Sequence, residues 1–387
     1  MSTIESLLSQ LRQAAATADL SVRYQLSKDL QRLATEVATP RQVIQHYGYT
    51  YTAQAVARTT VDLKLFAILA QSNTPLKTED IAGKAGADPA LTDRLLRHLA
   101  STYAIEEVGD SAFAANETTR LLASAPGEGS IRYGFDIMNP AFQKLPAFLK
   151  DNEYKNPDKT LDTAFHRAFD TEKQFFLWFQ EQEEMISHFH PHLTAFKSPV
   201  LWTSVVPLGE MLQGADADKP IFVDVGGGHG FQCEAFRNAT AERFPSGRVI
   251  NQDLPETLSE APHYDGVEMM VQDFYEEQQI KGAKIYYIRQ CLHDLNDETT
   301  KQVLRRIRDA MSPQSVLLID ELVIPDTGAS PFAMQLDVTM MAFFGSTERT
   351  VPNWQRLLGE VGLQVSRVYR YDPQLEYSIL EAIPTKD

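Results

Sequence analysis

The chain predicts an α/β protein: a doubly wound catalytic-type domain at its C-terminal end, preceded by an α-helical region that contains a winged-helix unit. Two observations predict the sheet domain. From about residue 218 onward, short apolar runs alternate with helical patterns, the order that builds a mostly parallel sheet with helices on both faces. Within that region the run Val223-Asp224-Val225-Gly226-Gly227-Gly228-His229-Gly230 separates an apolar strand at 220–225 from a helical segment at 231–241. A third observation predicts the winged unit. Residues 45–120 read as helices followed by two short strands around Gly109-Asp110-Ser111.

The elements follow in order. Residues 4–38 read as helical, with Leu7, Leu8, Leu11 and then Leu26, Leu30, Leu33 at helix spacings, and are expected to contact a partner chain. In the winged unit, Val61 to Ala70 reads as one apolar helix. Leu76-Lys77-Thr78-Glu79-Asp80 reads as a cap for the next, and a third is expected from Asp88 to Leu99. The wing strands are expected at 104–108 and 112–114. Residues 128–215 read as helical and rich in large apolar side chains, with Pro191 interrupting the periodicity. Strands are then expected at 220–225, 247–251, 267–271, 284–288, 315–320 and 376–382. Helices are expected at 231–241, 255–261, 298–310 and 352–361. This divides the chain at 1–125, 126–215 and 216–387.

Composition narrows the function. At 387 residues and 43% apolar, the chain can bury two or three full cores. No apolar run reaches membrane-spanning length, and the N-terminus has no signal-like pattern. Cys233 and Cys291 cannot build a disulfide framework and read as reduced residues of a cytoplasmic protein. The net charge of −16 argues against nucleic acid as the main partner. Between Val61 and Asp110 five Lys/Arg stand against eight Asp/Glu, so the winged unit reads as a dimerisation scaffold rather than a phosphate-binding module.

In a doubly wound sheet, ligands sit at the carboxyl ends of strands near the switch in strand order. Four segments converge there. The glycine turn comes first, with Asp224 at the strand end. Its spacing lacks the later glycine of the dinucleotide fingerprint. Asp253-Leu254 ends the next strand, 23 residues after Gly230, where a carboxylate accepts from ribose hydroxyls. Asp273-Phe274 offers an acceptor for an adenine amino group and a ring to stack on it. Tyr286 to Asp294 is the fourth. No Walker-type Gly-Lys-Ser/Thr occurs, so an adenosine ligand without polyphosphate fits. His188, His190 and His192 lack the Cys or carboxylate that would complete a ligand set, and no metal is expected.

Val223–Gly230, Asp253-Leu254-Pro255, Asp273-Phe274, Leu292-His293-Asp294, Asp320-Glu321 and Glu348-Arg349-Thr350 together carry a family resemblance. Over nearly its whole length the chain resembles the class I S-adenosylmethionine-dependent O-methyltransferases of the caffeate and hydroxyneurosporene type, which include many fungal secondary-metabolite enzymes. The resemblance implies a Rossmann-like catalytic domain, a homodimer and S-adenosylmethionine held by Asp224, Gly226, Gly227, Gly228, Asp253, Leu254, Asp273, Phe274 and Arg289. It implies His293 as general base, with Glu321 and Glu348 orienting the imidazole. A neutral imidazole suits the task, since a phenol or enol is a weak nucleophile until its proton leaves. A substrate pocket is expected from Met138, Phe142, Phe175, Phe179, Met185, Asp294, Met340, Met341, Phe343 and Phe344, because Met is adaptable and rings offer faces to a flat apolar molecule.

The chain departs from the family at Leu295, where Trp is usual, at Arg289, where Lys is usual, and in Gly345-Ser346-Thr347. These departures keep a second reading open. Some fungal proteins of this fold retain S-adenosylmethionine as a fixed cation and catalyse dehydration or pericyclic ring formation. A third reading, a catalytically silent metabolite-binding regulator, is disfavoured by the acidic winged unit and the complete His-Glu-Glu set.

Overall fold

The computed structural model describes residues 3–215 and 218–385. The chain forms two compact units, one of Met1–Pro140 with Phe176–Lys197, the other of Ala141–Phe175 with Ser198–Asp387.

The first unit opens with three helices, Thr3–Thr17, Leu20–Val37 and Pro40–Asp62. Asp19 caps the second, and a reciprocal Thr39–Gln42 capping box starts the third, each cap worth about 1 kcal/mol. The first two helices bury no residue, and the third buries only Thr60 and Val61. Their apolar side chains therefore face outward in the single chain. Leu7 is 53% exposed and Ile44 74%.

The winged unit follows. Strands β1 (Leu76–Lys77), β2 (Glu106–Gly109) and β3 (Ala112–Ala114) form an antiparallel sheet in the order β1-β3-β2. Its core joins Val61, Leu65, Phe66, Leu69, Ile81 and Phe113. Two expectations need correction. The apolar helix expected from Val61 to Ala70 is broken: one helix ends at Asp62 and another runs from Leu65 to Ala70, with Lys64 left-handed at φ +55° between them. Apolar periodicity does not report such a break, because both pieces bury the same stripe. The helix Thr78–Ala85 begins without a side-chain cap, since the Thr78 hydroxyl bonds Asp93 and the Ser111 carbonyl instead. Helix Pro89–Ser101 is capped by Asp88. Pro191 lies inside the helix Glu183–Ala195 rather than ending it. That helix packs closely on Ala125–Arg132, where a Cβ on Gly129 would lie 2.5 Å from the His188 carbonyl.

The second unit is built on an eight-stranded sheet. Its strands are β4 (Phe222–Val225), β5 (Val249–Asp253), β6 (Val267–Val271), β7 (Ile285–Arg289), β8 (Val316–Ile324), β9 (Arg349–Thr350), β10 (Leu363–Asp372) and β11 (Tyr377–Pro384). They lie in the order β10-β11-β8-β7-β4-β5-β6, with β9 added beside β8. β4 to β8 pair in parallel, while β10 and β11 run antiparallel at the edge. The central strands are buried on both faces, so they read as nearly continuous apolar runs, interrupted in β4 by the buried Asp224. The chain moves outward from β4 to β6 and returns to place β7 on the other side of β4. The carboxyl ends of β4 and β7 therefore meet at the switch point.

The doubly wound architecture is as expected, and three elements were not foreseen. Helix Pro331–Phe344 is apolar nearly all round and shows no amphipathic stripe, and its second half, from Thr339 to Phe344, is buried save for the half-buried Met341. β10 is an edge strand whose charged residues and two register irregularities blur its alternation. β9 is only two residues long.

Candidate active site

The glycine turn is shaped by its neighbours. Gly226 and Gly228 adopt φ of +69° and +58°, in the left-handed region. The Gly226 and Gly227 amides both donate to the Gln252 carbonyl, which folds the turn back over β5. A Cβ on Gly227 would lie 2.1 Å from Asn251 Oδ1 and 2.5 Å from Asp224 Cγ. Asn251 in turn donates to the Gly228 carbonyl at 2.9 Å. Asp224 is completely buried beneath the turn. Burial pushes its carboxyl up to about 8, and Asp253 adds to the effect. Its Oδ1 has no hydrogen-bond partner among the described residues.

At the end of β5, Asp253 accepts from the Gly228 amide at 2.7 Å and from the Leu254 amide at 2.7 Å. Each oxygen keeps a lone pair for a further donor. Leu254 is exposed beside it. Phe274 and the Cys291 thiol both flank Gly226: a Cβ there would lie 3.4 Å from the ring and 3.1 Å from the sulfur. Asp273 is exposed and accepts from the Tyr275 amide. A glycine turn with no room for a Cβ at Gly227, a carboxylate on a strand end and an aromatic wall fit an adenosine-type cofactor.

The turn after β7 carries His293. Its Nδ1 lies 2.7 Å from Glu348 Oε1, and its Nε2 lies 3.6 Å from Asp294 Oδ1. Glu348 is fixed from behind, as its amide donates to Asp337 Oδ1 at 2.9 Å. Burial lowers the imidazole pKa, but Glu348, Asp294 and Glu321 outweigh it and hold the group well above its ordinary value. Burial raises Glu321 to about 7 and Asp294 to about 6. The remaining oxygens of Glu321 and Glu348, Oε2 in each, are buried without partners among the described residues.

Two expectations about single residues change here. Glu321 does not hydrogen-bond the imidazole; its Oε1 accepts the Cys291 and Leu292 amides at 3.2 and 3.0 Å and so holds the turn. Arg289 is committed to Asp320 and to Tyr371, and its guanidinium lies over the Tyr377 ring. Its charge is already matched by a fully buried carboxylate, which leaves a cofactor carboxylate little to attract. Leu295, which stands where the family usually has Trp, is buried in the core with Leu292 and Val303.

The predicted pocket residues divide between the two units. In the sheet-containing unit, Phe175 meets Phe343 and Phe344 with centroids 5.4 and 5.5 Å apart, and Phe142 meets Phe343 at 6.4 Å. Met340 is buried and Met341 half-buried on the helix that carries Phe343 and Phe344. In the helical unit, Phe179 packs on Tyr133 and Phe189. Met138 ends the wide helical turn Tyr133–Met138. Met185 lines a cavity of about 410 Å³ with Arg58, Tyr133, Phe135, Asp136 and His188. His192 stacks on Tyr133 and bonds Ser130. Among the described residues, no three His, Cys, Asp or Glu side chains converge as metal ligands.

Residues 158–364 match the family model of the O-methyltransferase domain, and residues 45–124 match that of the O-methyltransferase dimerisation domain. The chain belongs to the O-methyltransferase family. It is 36% identical to the O-methyltransferase ucdC of Aspergillus ustus over 99% of this chain and all of that one. It is 34% identical to the demethylsterigmatocystin 6-O-methyltransferase of Aspergillus parasiticus over 99% and 98% of the two chains. The solved structure of LepI in complex with S-adenosylmethionine superposes with a TM-score of 0.90 at 31% identity, covering 99% of each chain. A second solved structure with the same match is described as a pericyclic reaction enzyme. The protein is thus an S-adenosylmethionine-dependent O-methyltransferase by family, and the glycine turn, Asp253 and Phe274 are the groups that fit that cofactor.

Several residues of this O-methyltransferase's site were not singled out from sequence. Asp337 fixes Glu348, Asn251 fills the space under Gly227, and the Ser346 hydroxyl donates to the His293 carbonyl at 2.6 Å. All three are small polar residues inside apolar segments or loops, and only their contacts mark them.

Proposed function

We propose that the protein methylates a phenolic or enolic hydroxyl of a small aromatic or polyketide-type metabolite, with His293 as the general base. The carrying observation is the 2.7 Å contact between His293 Nδ1 and Glu348 Oε1. A buried carboxylate on Nδ1 requires a proton there and leaves the Nε2 lone pair to receive the substrate proton. Glu348 then stabilises the imidazolium that forms. S-Adenosylmethionine supplies the methyl group as an electrophilic sulfonium substituent. The protein's share is to remove one proton and to align the oxygen. The aromatic and Met side chains around Phe343 and Phe344 suit a flat apolar substrate, and the relatives named for demethylsterigmatocystin support that class. Incubation with methyl-labelled cofactor and hydroxylated xanthones or anthraquinones should move the label to the aromatic product; label retained on the cofactor with every phenol tried would refute the reading.

The pH dependence follows from the charges around the imidazole. A base must be neutral, and Glu348, Asp294 and Glu321 favour the protonated form. kcat/KM is therefore expected to rise with pH through a midpoint above about 6.5. Glu348→Gln removes a main raising charge and should move that midpoint to lower pH. A pH–rate profile measures both, and a midpoint unmoved by the substitution contradicts the pairing.

The same electrostatics favour one alternative. An imidazolium is a general acid, and a cofactor retained as a cation would leave His293 to protonate an alcohol or carbonyl in a dehydration or pericyclic step. The match to the pericyclic reaction enzyme supports this second reading.

The reading includes a cytoplasmic homodimer acting on a small molecule. Both cysteines are free thiols, and among the described residues no helix is long and apolar enough to cross a membrane. The helices preceding the winged unit, with Leu7, Leu8, Leu11, Ile44 and Tyr47 exposed, supply the partner surface. Burying each such side chain contributes about 1.5–3 kcal/mol. Leu7→Glu with Leu11→Glu should halve the mass seen by light scattering, and an unchanged dimer mass would exclude this surface.

A further inference from the structure

The turn Gln290–Leu295 that carries His293 is held at both ends by buried charge. At its start, Arg289 ends β7 opposite Asp320 of β8 in the parallel register. Asp320 is fully buried and accepts from Tyr287 at 2.5 Å, from Tyr371 at 2.9 Å and from Arg289. Arg289 also donates to the Tyr371 hydroxyl at 2.7 Å. This network fixes the strand end from which the chain must turn. The next residue, Gln290, is a non-glycine at φ +49°, a conformation that costs about 1–2 kcal/mol unless its surroundings impose it. Its amide donates to the Asp320 carbonyl at 3.1 Å.

At the other end, Arg349 is 2% exposed. Its two terminal nitrogens donate to the Leu292 and Leu295 carbonyls at 2.8 and 2.7 Å, on either side of His293. Asp297 balances its charge at 3.0 Å, and its guanidinium lies over the Trp354 ring. A planar fork grips two carbonyls at once, which a lysine ammonium cannot reproduce with the same geometry.

We propose that Arg349 and the Arg289–Asp320–Tyr371 network are positioning elements that impose the strained turn and thereby hold His293 on Glu348. Neither touches the reacting atoms; both act through the backbone of residues 290–295. The proposal rests on His293 as the base for its catalytic consequence, while its structural content is independent of that role.

The test is ¹⁵N-histidine NMR of the intact protein, with the His293 signal assigned from His293→Ala, in Tyr371→Phe and Arg349→Lys. Both variants should shift the His293 titration by about 1 unit toward the ordinary histidine value, as the imidazole loosens from Glu348. Both should also lower kcat on a phenol that the wild type methylates by about 10-fold or more with the KM for S-adenosylmethionine unchanged. If Arg349→Lys does not fold, Tyr371→Phe, which keeps the Arg289–Asp320 pair, decides alone. A wild-type titration of His293 in the folded variants overturns the proposal, even where His293→Ala is inactive. An active His293→Ala removes the base assignment, and a shifted titration then still upholds the positioning.

Discussion

His293→Ala should leave the fold and the affinity for S-adenosylhomocysteine unchanged and lower kcat for methyl transfer by about 10²–10⁴. The imidazole side chain is 12% exposed, so its removal leaves a small, partly solvated space rather than a core cavity. What remains after removal are two groups that cannot substitute for it. Glu348 stays buried behind the site, and the nearer Asp294 oxygen lies 3.6 Å from where Nε2 stood, off the proton-accepting position. Residual activity should grow with pH in proportion to the ionised fraction of the phenol, because an already ionised nucleophile needs no base. Wild-type activity in the variant, measured by label transfer, would remove His293 from the mechanism.

Gly227→Ala should cost about 1–3 kcal/mol of stability and weaken S-adenosylhomocysteine binding by at least about 10-fold. The space a Cβ needs is taken by Asn251 and Asp224, both fully buried. Asn251 is tied to the Gly228 carbonyl, so it can yield only by releasing the turn. Displacing Gly228 in turn breaks its bond to Asp253, the carboxylate that the ribose is expected to meet. Gly83→Ala is the matched control. It lies in the helix Thr78–Ala85 with nothing within 4 Å of an added Cβ, and should stabilise by about 0.5–1 kcal/mol without touching cofactor binding. Calorimetric titration and thermal unfolding separate the two variants. Equal cofactor affinity in wild type and Gly227→Ala would place the cofactor elsewhere.

What the sequence revealed depended on whether a residue's role is local or relational. The parallel sheet was legible because buried central strands are apolar at nearly every position, as Phe222, Val223, Val225 and Ile285–Ile288 are. The glycine turn was legible because positive φ and close approach leave few alternatives to glycine. His293 and Glu348 were placed by family resemblance and lie within hydrogen-bond distance, although 55 residues apart in sequence. The helix Pro331–Phe344 was not legible, since its apolar residues fall on every side and no amphipathic stripe marks it. Arg289 and Glu321 were visible as residues but not as contacts. Whether an arginine at a strand end faces a ligand or an aspartate depends on the register of β7 against β8, which no local pattern encodes.

Whether the methyl group leaves the cofactor for a substrate oxygen is decided by product mass with the natural substrate, measured beside the yield of S-adenosylhomocysteine. Methyl transfer gives a product heavier by one methyl in place of hydrogen, one S-adenosylhomocysteine per product, and no product when S-adenosylmethionine is replaced by S-adenosylhomocysteine. Substrate converted to an isomer or a dehydrated product, with S-adenosylmethionine recovered intact, would contradict it and establish the non-transferring reading.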